Sequence, residues 1–216
     1  GVDDYVNLST SASGALNITG NQLSVQAWIN LELPMPGHAQ MIFDKHNGAS
    51  AGYSLAINTA GQLEMKINGF TLASATAVPT GAFVHIAGTY DGSFVRLYAN
   101  GAQIASGALT GNVASNSGQV ARIGNDNTGT ALGFVRLIDN LAVWNRPLTA
   151  SEIVGLANPG HYVQTAGTTT VNGTLTAPNG TTISGGSLVG TGTVLGNLQN
   201  ASLVAPGNSP GCITIN

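Results

Sequence analysis

Side chains able to act as acids, bases or metal ligands are sparse in this 216-residue chain: three glutamates (Glu32, Glu64, Glu152), six aspartates, four histidines and one cysteine. Cleaving a glycosidic bond needs two carboxylates facing one sugar. No glutamate has a second carboxylate two or four residues away on an alternating strand, and Glu152 falls where a helix cap needs it. His38, His46, His85 and His161 are scattered, with no Ser–His–Asp order and no HExxH spacing. The pattern argues against an enzyme.

Binding chemistry is better represented. Sugar recognition needs an aromatic platform beside planar polar groups. Trp28 offers one, with Gln26 and Asn30 on the same face of its strand. Tyr53, Tyr90, Tyr98 and Phe94 are further candidates, although two Trp, five Tyr and five Phe must also fill the core. The loop Gly124-Asn125-Asp126-Asn127-Thr128 has the oxygens to hold an ion or hydrogen-bond a sugar; a plain exposed turn is the simpler reading. Cys212 has no second cysteine in the chain, so it is either a small apolar filler or one half of a bridge to another segment.

The elements that position these groups follow from composition and period. Charged residues are 7% of the chain, against roughly 25% in ordinary soluble proteins. The net charge is −3 and no Lys/Arg cluster exists, which argues against a nucleic-acid partner. No apolar run reaches the roughly 18 residues of a membrane span. Every charged residue lies between Asp3 and Glu152, and none follows. With the turn-rich Asn158-Pro159-Gly160, that shift divides the chain into 1–157 and 158–216.

In the first part, apolar residues alternate with polar ones along 23–31 and 62–67, and further strand patterns cover 53–57, 83–90, 94–99, 102–106, 119–123 and 134–144. Asp91-Gly92 and Asn100-Gly101 mark tight turns, the second of a type needing two positive φ angles. Thr149-Ala150-Ser151-Glu152 reads as a capping box opening one short helix. The expected fold is all-β: an antiparallel jelly-roll β-sandwich with one short helix, followed by a small β-solenoid-like or extended β tail. In the tail, aliphatics recur between Gly, Asn and Ser, as inward residues of stacked short strands would.

The segments GVDDYV (1–6), LSVQAWIN (23–30), FVHIAGTYDGSFVRLYANGAQIASG (83–107) and RLIDNLAVWNRPLTASEI (136–153) resemble, in order and spacing, the laminin-G-like domains of bacterial surface proteins. These belong to the concanavalin A-like lectin/glucanase jelly rolls. The string GGSLVGTGTVLGNLQNASLVAPGNSPGCITI (185–215) resembles the β-solenoid repeats of autotransporter-type proteins, and the chain reads as a segment of a longer polypeptide. The first resemblance implies a structural Ca2+ joining the first and last strands. It nominates Asp139, with Asp3 or Asp4 and loop carbonyls. Alternation with Val135, Leu137, Leu141 and Val143 puts Asp139 on an apolar face, where an unpaired carboxylate is costly. Capping backbone N–H groups, or pairing with Arg136 or Arg146, would also satisfy it.

Two functions are expected from these readings. One is a non-catalytic structural or adhesive module, extracellular or at a bacterial cell surface. It would associate through its charge-free tail with copies of itself or with other surface or matrix proteins. The other is a calcium-dependent, lectin-like module that binds glycans through Trp28, Gln26 and Asn30, with Asn125 and Asp126.

Overall fold

A computed structural model describes residues 4–9, 14–31, 37–48, 50–126, 133–158, 160, 162–177, 180–206 and 214–215. The chain divides into two compact units, Gly1–Ile153 and Val154–Asn216.

The first unit is a sandwich of two antiparallel sheets. The six-stranded sheet runs, in spatial order, β1 (Val6–Ser9), β10 (Ala121–Ile123), β3 (Gln40–His46), β4 (Gly52–Ile57), β5 (Gln62–Ile67) and β6 (Phe70–Ala77). The five-stranded sheet runs β11 (Leu137–Trp144), β2 (Leu23–Asn30), β7 (Phe83–Tyr90), β8 (Phe94–Ala99) and β9 (Ala102–Ala108). Alternation builds the core between them. Leu63, Met65 and Ile67 of β5 are buried while Gln62, Glu64 and Lys66 face outward. From the other sheet, Val25, Ala27 and Ile29 meet Val84, Ile86 and Tyr90. β3 and β4 are buried on both faces, so the middle of the six-stranded sheet is recessed from solvent on its outer side too.

Local chemistry fixes the connections. Asn100 and Gly101 both have positive φ (46° and 83°), as the expected hairpin turn requires. Lys45, buried on the core side of β3, donates its ammonium to the Gln119 carbonyl, and Asn116 Nδ2 donates to the Lys45 carbonyl at 3.0 Å. Burial holds that ammonium below the usual lysine pKa. The helix α1 (Ala150–Ala157) opens with the expected reciprocal cap. Glu152 N–H donates to Thr149 Oγ1 at 3.2 Å and Thr149 N–H donates to Glu152 Oε2 at 2.8 Å.

The second unit has three short parallel sheets of three strands: β12 (Tyr162–Gln164), β15 (Thr181–Ile183) and β18 (Leu198–Asn200); β13 (Thr168–Thr170), β16 (Ser187–Gly190) and β19 (Leu203–Pro206); β14 (Thr174–Thr176), β17 (Thr193–Leu195) and β20 (Thr214–Ile215). The chain visits the three sheets in turn, three times. This is the solenoid-like tail expected from the spacing of the aliphatics. Between the first two turns every face is offset by 19 residues: Tyr162 pairs with Thr181, Thr168 with Ser187 and Thr174 with Thr193. Val171, Ile183, Leu188 and Val194 form the core. The buried Gln164 carboxamide donates to the carbonyls of Gly167 and Ser187, both at 2.9 Å. Stacking is tight enough to demand glycine at the end of β16. Gly190 has φ +120°, and a Cβ there would lie 2.1 Å from the Val171 carbonyl oxygen of the preceding turn.

Candidate functional site

Cross-strand register assembles a polar row on the outer face of the six-stranded sheet. Asn7 pairs with Arg122, Arg122 with Asp44, Asp44 with Ser54, Ser54 with Lys66 and Lys66 with Thr71. Residues paired in this way project to the same side. In its middle is a cleft of about 190 Å³ lined by Met41, Asp44, His46, Gly48, Ser54, Lys66 and Asp126.

Two carboxylates reach this cleft from distant parts of the chain. Asp44 is 3% exposed and Asp126 is 2% exposed. Asp44 Oδ1 accepts the His46 N–H at 3.0 Å. The His46 ring shapes the adjoining turn: Nδ1 accepts the Gly48 N–H at 2.9 Å, so Nε2 carries the proton that it donates to the Asn68 carbonyl at 2.6 Å. Arg122 holds the loop of Asp126. Its Nη1 donates to the Asp126 carbonyl, its Nε donates to Asn7 Oδ1 at 3.0 Å, and its guanidinium lies 4.7 Å from the Tyr5 ring centroid. Lys66 supplies a half-buried ammonium, 3.4 Å from Glu64 Oε1. Acceptors, an ammonium and the Ser54 hydroxyl thus face one small cleft, the equipment for hydrogen-bonding a polyol.

The loop 124–126 is not the exposed turn that composition suggested. Gly124, Asn125 and Asp126 are all buried. The Gly124 N–H donates to the Ile42 carbonyl at 3.1 Å, and Asn125 Oδ1 accepts the Asp126 N–H at 2.8 Å. Asn125 therefore braces the loop while Asp126 lines the cleft.

Trp28, Gln26 and Asn30 stand on the other sheet, on the outer face of β2, so they do not join Asp126 in one site. Gln26 is buried: Oε1 accepts from His85 Nε2 at 2.8 Å, and Nε2 donates to the Asn140 carbonyl. Trp28 is half-buried and meets the His85 ring edge-on, centroids 5.6 Å apart at 63°. Burial pushes the His85 pKa down to about 4. Asn30 is half-buried between Leu137 and Phe83 on the neighbouring strands.

Asp139 does not face the core. A register shift between Asp139 and Ala142, with Asn140 at φ 50°, breaks the alternation on which that expectation rested. Ile138, Leu141 and Val143 pack on the core, while Asp139 is exposed beside Trp28 and its Oδ1 accepts the Asn140 N–H at 2.7 Å. Asp3 lies outside the described residues, as does Cys212. Asp4 is exposed and lines a separate cleft of about 250 Å³ together with Arg136, a cation that disfavours a metal ion there. Among the described residues no group of three or more His, Cys, Asp or Glu side chains is placed to hold a metal ion. No described helix is long and apolar enough to cross a membrane.

Comparison with known proteins gives the fold a family. Similar solved structures include a protein of Bacteroides ovatus named as a candidate carbohydrate-binding protein (20% identity, TM-score 0.58, 69% of this chain and 43% of that one). The match spans less than half of that protein's length. Domain 4 of AbnA, a GH43 extracellular arabinanase of Geobacillus stearothermophilus, in complex with arabinotriose, matches at 22% identity and TM-score 0.55 over 72% of this chain and 73% of that one. The CBM40 of the Ruminococcus gnavus IT-sialidase, bound to α2,3-sialyllactose, matches at 15% identity and TM-score 0.52 over 72% and 97%. No curated protein matches the sequence. The Laminin_G_3 family model, described as the concanavalin A-like lectin/glucanases superfamily, matches residues 1–154. Over those residues the chain belongs to that superfamily.

Proposed function

We propose that the first unit is a non-catalytic carbohydrate-binding module that takes a saccharide in the cleft of Asp44, Ser54, Lys66 and Asp126. The observation that carries this reading is the pair of nearly fully buried carboxylates beside an ammonium and a hydroxyl. Sugar hydroxyls donate to the carboxylates and accept from Lys66 and Ser54. The three similar structures, each described as carbohydrate-binding or solved with a sugar, support the class of ligand. Asp44 is occupied by the His46 N–H, which suits it to a fixed acceptor better than to a general acid. An extracellular or cell-surface location follows from the same reading.

The test is calorimetric titration with a panel of oligosaccharides, with calcium and with chelator, alongside a reducing-sugar release assay. Binding without release is expected, weakened at least tenfold by Lys66→Ala and by Asp126→Asn at unchanged melting temperature. Sugar release, or binding indifferent to both substitutions, refutes the reading.

A second reading concerns the tail. It is free of charged residues, and Leu195 and Leu203 of its strands are exposed. Charge and bulges are the usual protection of sheets against association. This supports self-association or attachment to surface or matrix proteins. Sedimentation velocity of the purified chain tests it: concentration-dependent assembly abolished by Leu203→Lys is expected, and a monomer at all concentrations rejects it.

A further inference from the structure

The outer face of the five-stranded sheet carries a second constellation, independent of the cleft. Register sets Leu137, Asn30 and Phe83 side by side on β11, β2 and β7, and Asp139, Trp28 and His85 in the next row. Leu137 is 56% exposed and Phe83 43% exposed. Asp139 is also exposed, while Asn30 and Trp28 are half-buried. Neighbouring strands lie about 4.8 Å apart, so three of them present a surface about 10 Å wide.

The surface is rigidly backed. His85 sets the edge of the Trp28 ring, and Gln26 holds His85 at 2.8 Å while reaching the Asn140 carbonyl on the adjacent strand. Asn140 is also the positive-φ residue of the bulge that follows Asp139 and returns Leu141 and Val143 to the core side. Regular pairing thus places the carboxylate beside the indole, and the bulge next to it supplies the acceptor that locks the support. His85 Nδ1 is buried without a hydrogen-bond partner, a cost that the ring bears while it fixes the Trp28 edge.

We infer that this face is a second saccharide-binding surface, for a neutral glycan of about two rings. The C–H faces of the sugars lie on Trp28 and Phe83, with Leu137 at the margin. Their hydroxyls donate to Asp139 and exchange hydrogen bonds with the Asn30 carboxamide. A second copy of this chain fits less well, because apolar contact across the patch would strip the Asp139 carboxylate of water without pairing it. An uncharged polyol with one apolar face satisfies both kinds of group. Sites on both outer faces of one sandwich let a single chain bridge two glycan strands, with the gain in apparent affinity that two tethered sites confer.

The experiment is a fluorescence titration of the full chain, whose tryptophans are Trp28 and Trp144. The probes are linear neutral oligosaccharides of glucose, xylose, mannose and arabinose, two to six units long. It is run on the wild type, on Lys66→Ala to disable the cleft, and on Phe83→Ala and Asp139→Asn, which change exposed side chains only. Trp28→Phe, leaving Trp144 alone, assigns the signal. The expected result is a saturable change that survives Lys66→Ala, disappears in Trp28→Phe and shifts at least tenfold to higher sugar concentration in Phe83→Ala and in Asp139→Asn. No response to any sugar in the Lys66→Ala chain, or a response untouched by Phe83→Ala and Asp139→Asn, overturns the inference. Weaker binding by calorimetry in Lys66→Ala, with the Trp28 response retained, supports this face as a site separate from the cleft.

Discussion

The Nε2–H of His85 donates to Gln26 Oε1 across 2.8 Å, which fixes the neutral tautomer of a fully buried ring. Folding lowers the His85 pKa from 6.5 to about 4 by burial. The unfolded chain therefore takes up a proton at a higher pH than the folded one. The stabilising contribution of the neutral ring is fully present above pH 6.5 and is lost as pH falls from there toward about 4. The shift corresponds to a loss on the order of 3 kcal/mol. Urea unfolding between pH 7.5 and 4.5 is expected to show this decline, and His85→Gln to flatten it. An equal slope in the variant removes the assignment.

Glu152 titrates in a lower window. Its hydrogen bonds to Arg146, then to Thr149, hold its carboxyl at about 2, so its contribution is present above the usual 4.5 and fades as pH falls toward 2. The pair is solvent-exposed, with Arg146 Nη2 2.7 Å from Glu152 Oε1. Screening limits its worth. Glu152→Gln is expected to cost under about 1 kcal/mol at pH 7, most of it through the cap. Chemical denaturation at low and high salt checks this, and a loss above about 2 kcal/mol contradicts it.

Gly190→Ala is expected to loosen the second unit alone. The substitution imposes a positive φ on alanine and drives its Cβ into the Val171 carbonyl, a strain of at least about 2 kcal/mol. Hydrogen exchange should lose protection across 162–206 and keep it in β2 and β7. Unchanged protection in the tail would falsify the stacking argument.

Arg122 is a positioning residue for the cleft, because it fixes the backbone of Asp126 and does not itself line the cleft. Arg122→Ala is expected to weaken saccharide binding about tenfold, or ~1.4 kcal/mol. Lysine cannot span Asn7 Oδ1 and the Asp126 carbonyl at once, so Arg122→Lys should not restore it. Full rescue by lysine would reduce the role to charge alone. Calorimetry decides between them.

What the sequence could reveal depended on range. Alternation in β5, the Asn100-Gly101 turn and the Thr149–Glu152 cap are all decided within a few residues, and each reads directly. The site is not. Asp44 and Asp126 meet because β10 pairs with β3, a choice that no local pattern encodes. Searching single strands for paired carboxylates could not find them. Asp44 did leave a trace, as an acid directly after the apolar run Met41-Ile42-Phe43. Asp139 was misplaced because counting by twos fails at a bulge, and Asn140 tolerates positive φ well enough to hide one. Loop 124–126 reads as exposed because its composition is polar, whereas its backbone groups are taken up by Ile42 of β3, by Phe134, by the Asn125 side chain and by Arg122.

The second unit keeps its faces in register while its spacing drifts. The first offset is 19 residues on all three faces, but the next is 17, 16 and 21 (Thr181 to Leu198, Ser187 to Leu203, Thr193 to Thr214). The differences in length fall between the strands, because only these segments of two to four residues must superpose. Such a segment can diverge by changes in length as freely as by substitution, and its ancestry fades from any fixed-period comparison long before its shape does.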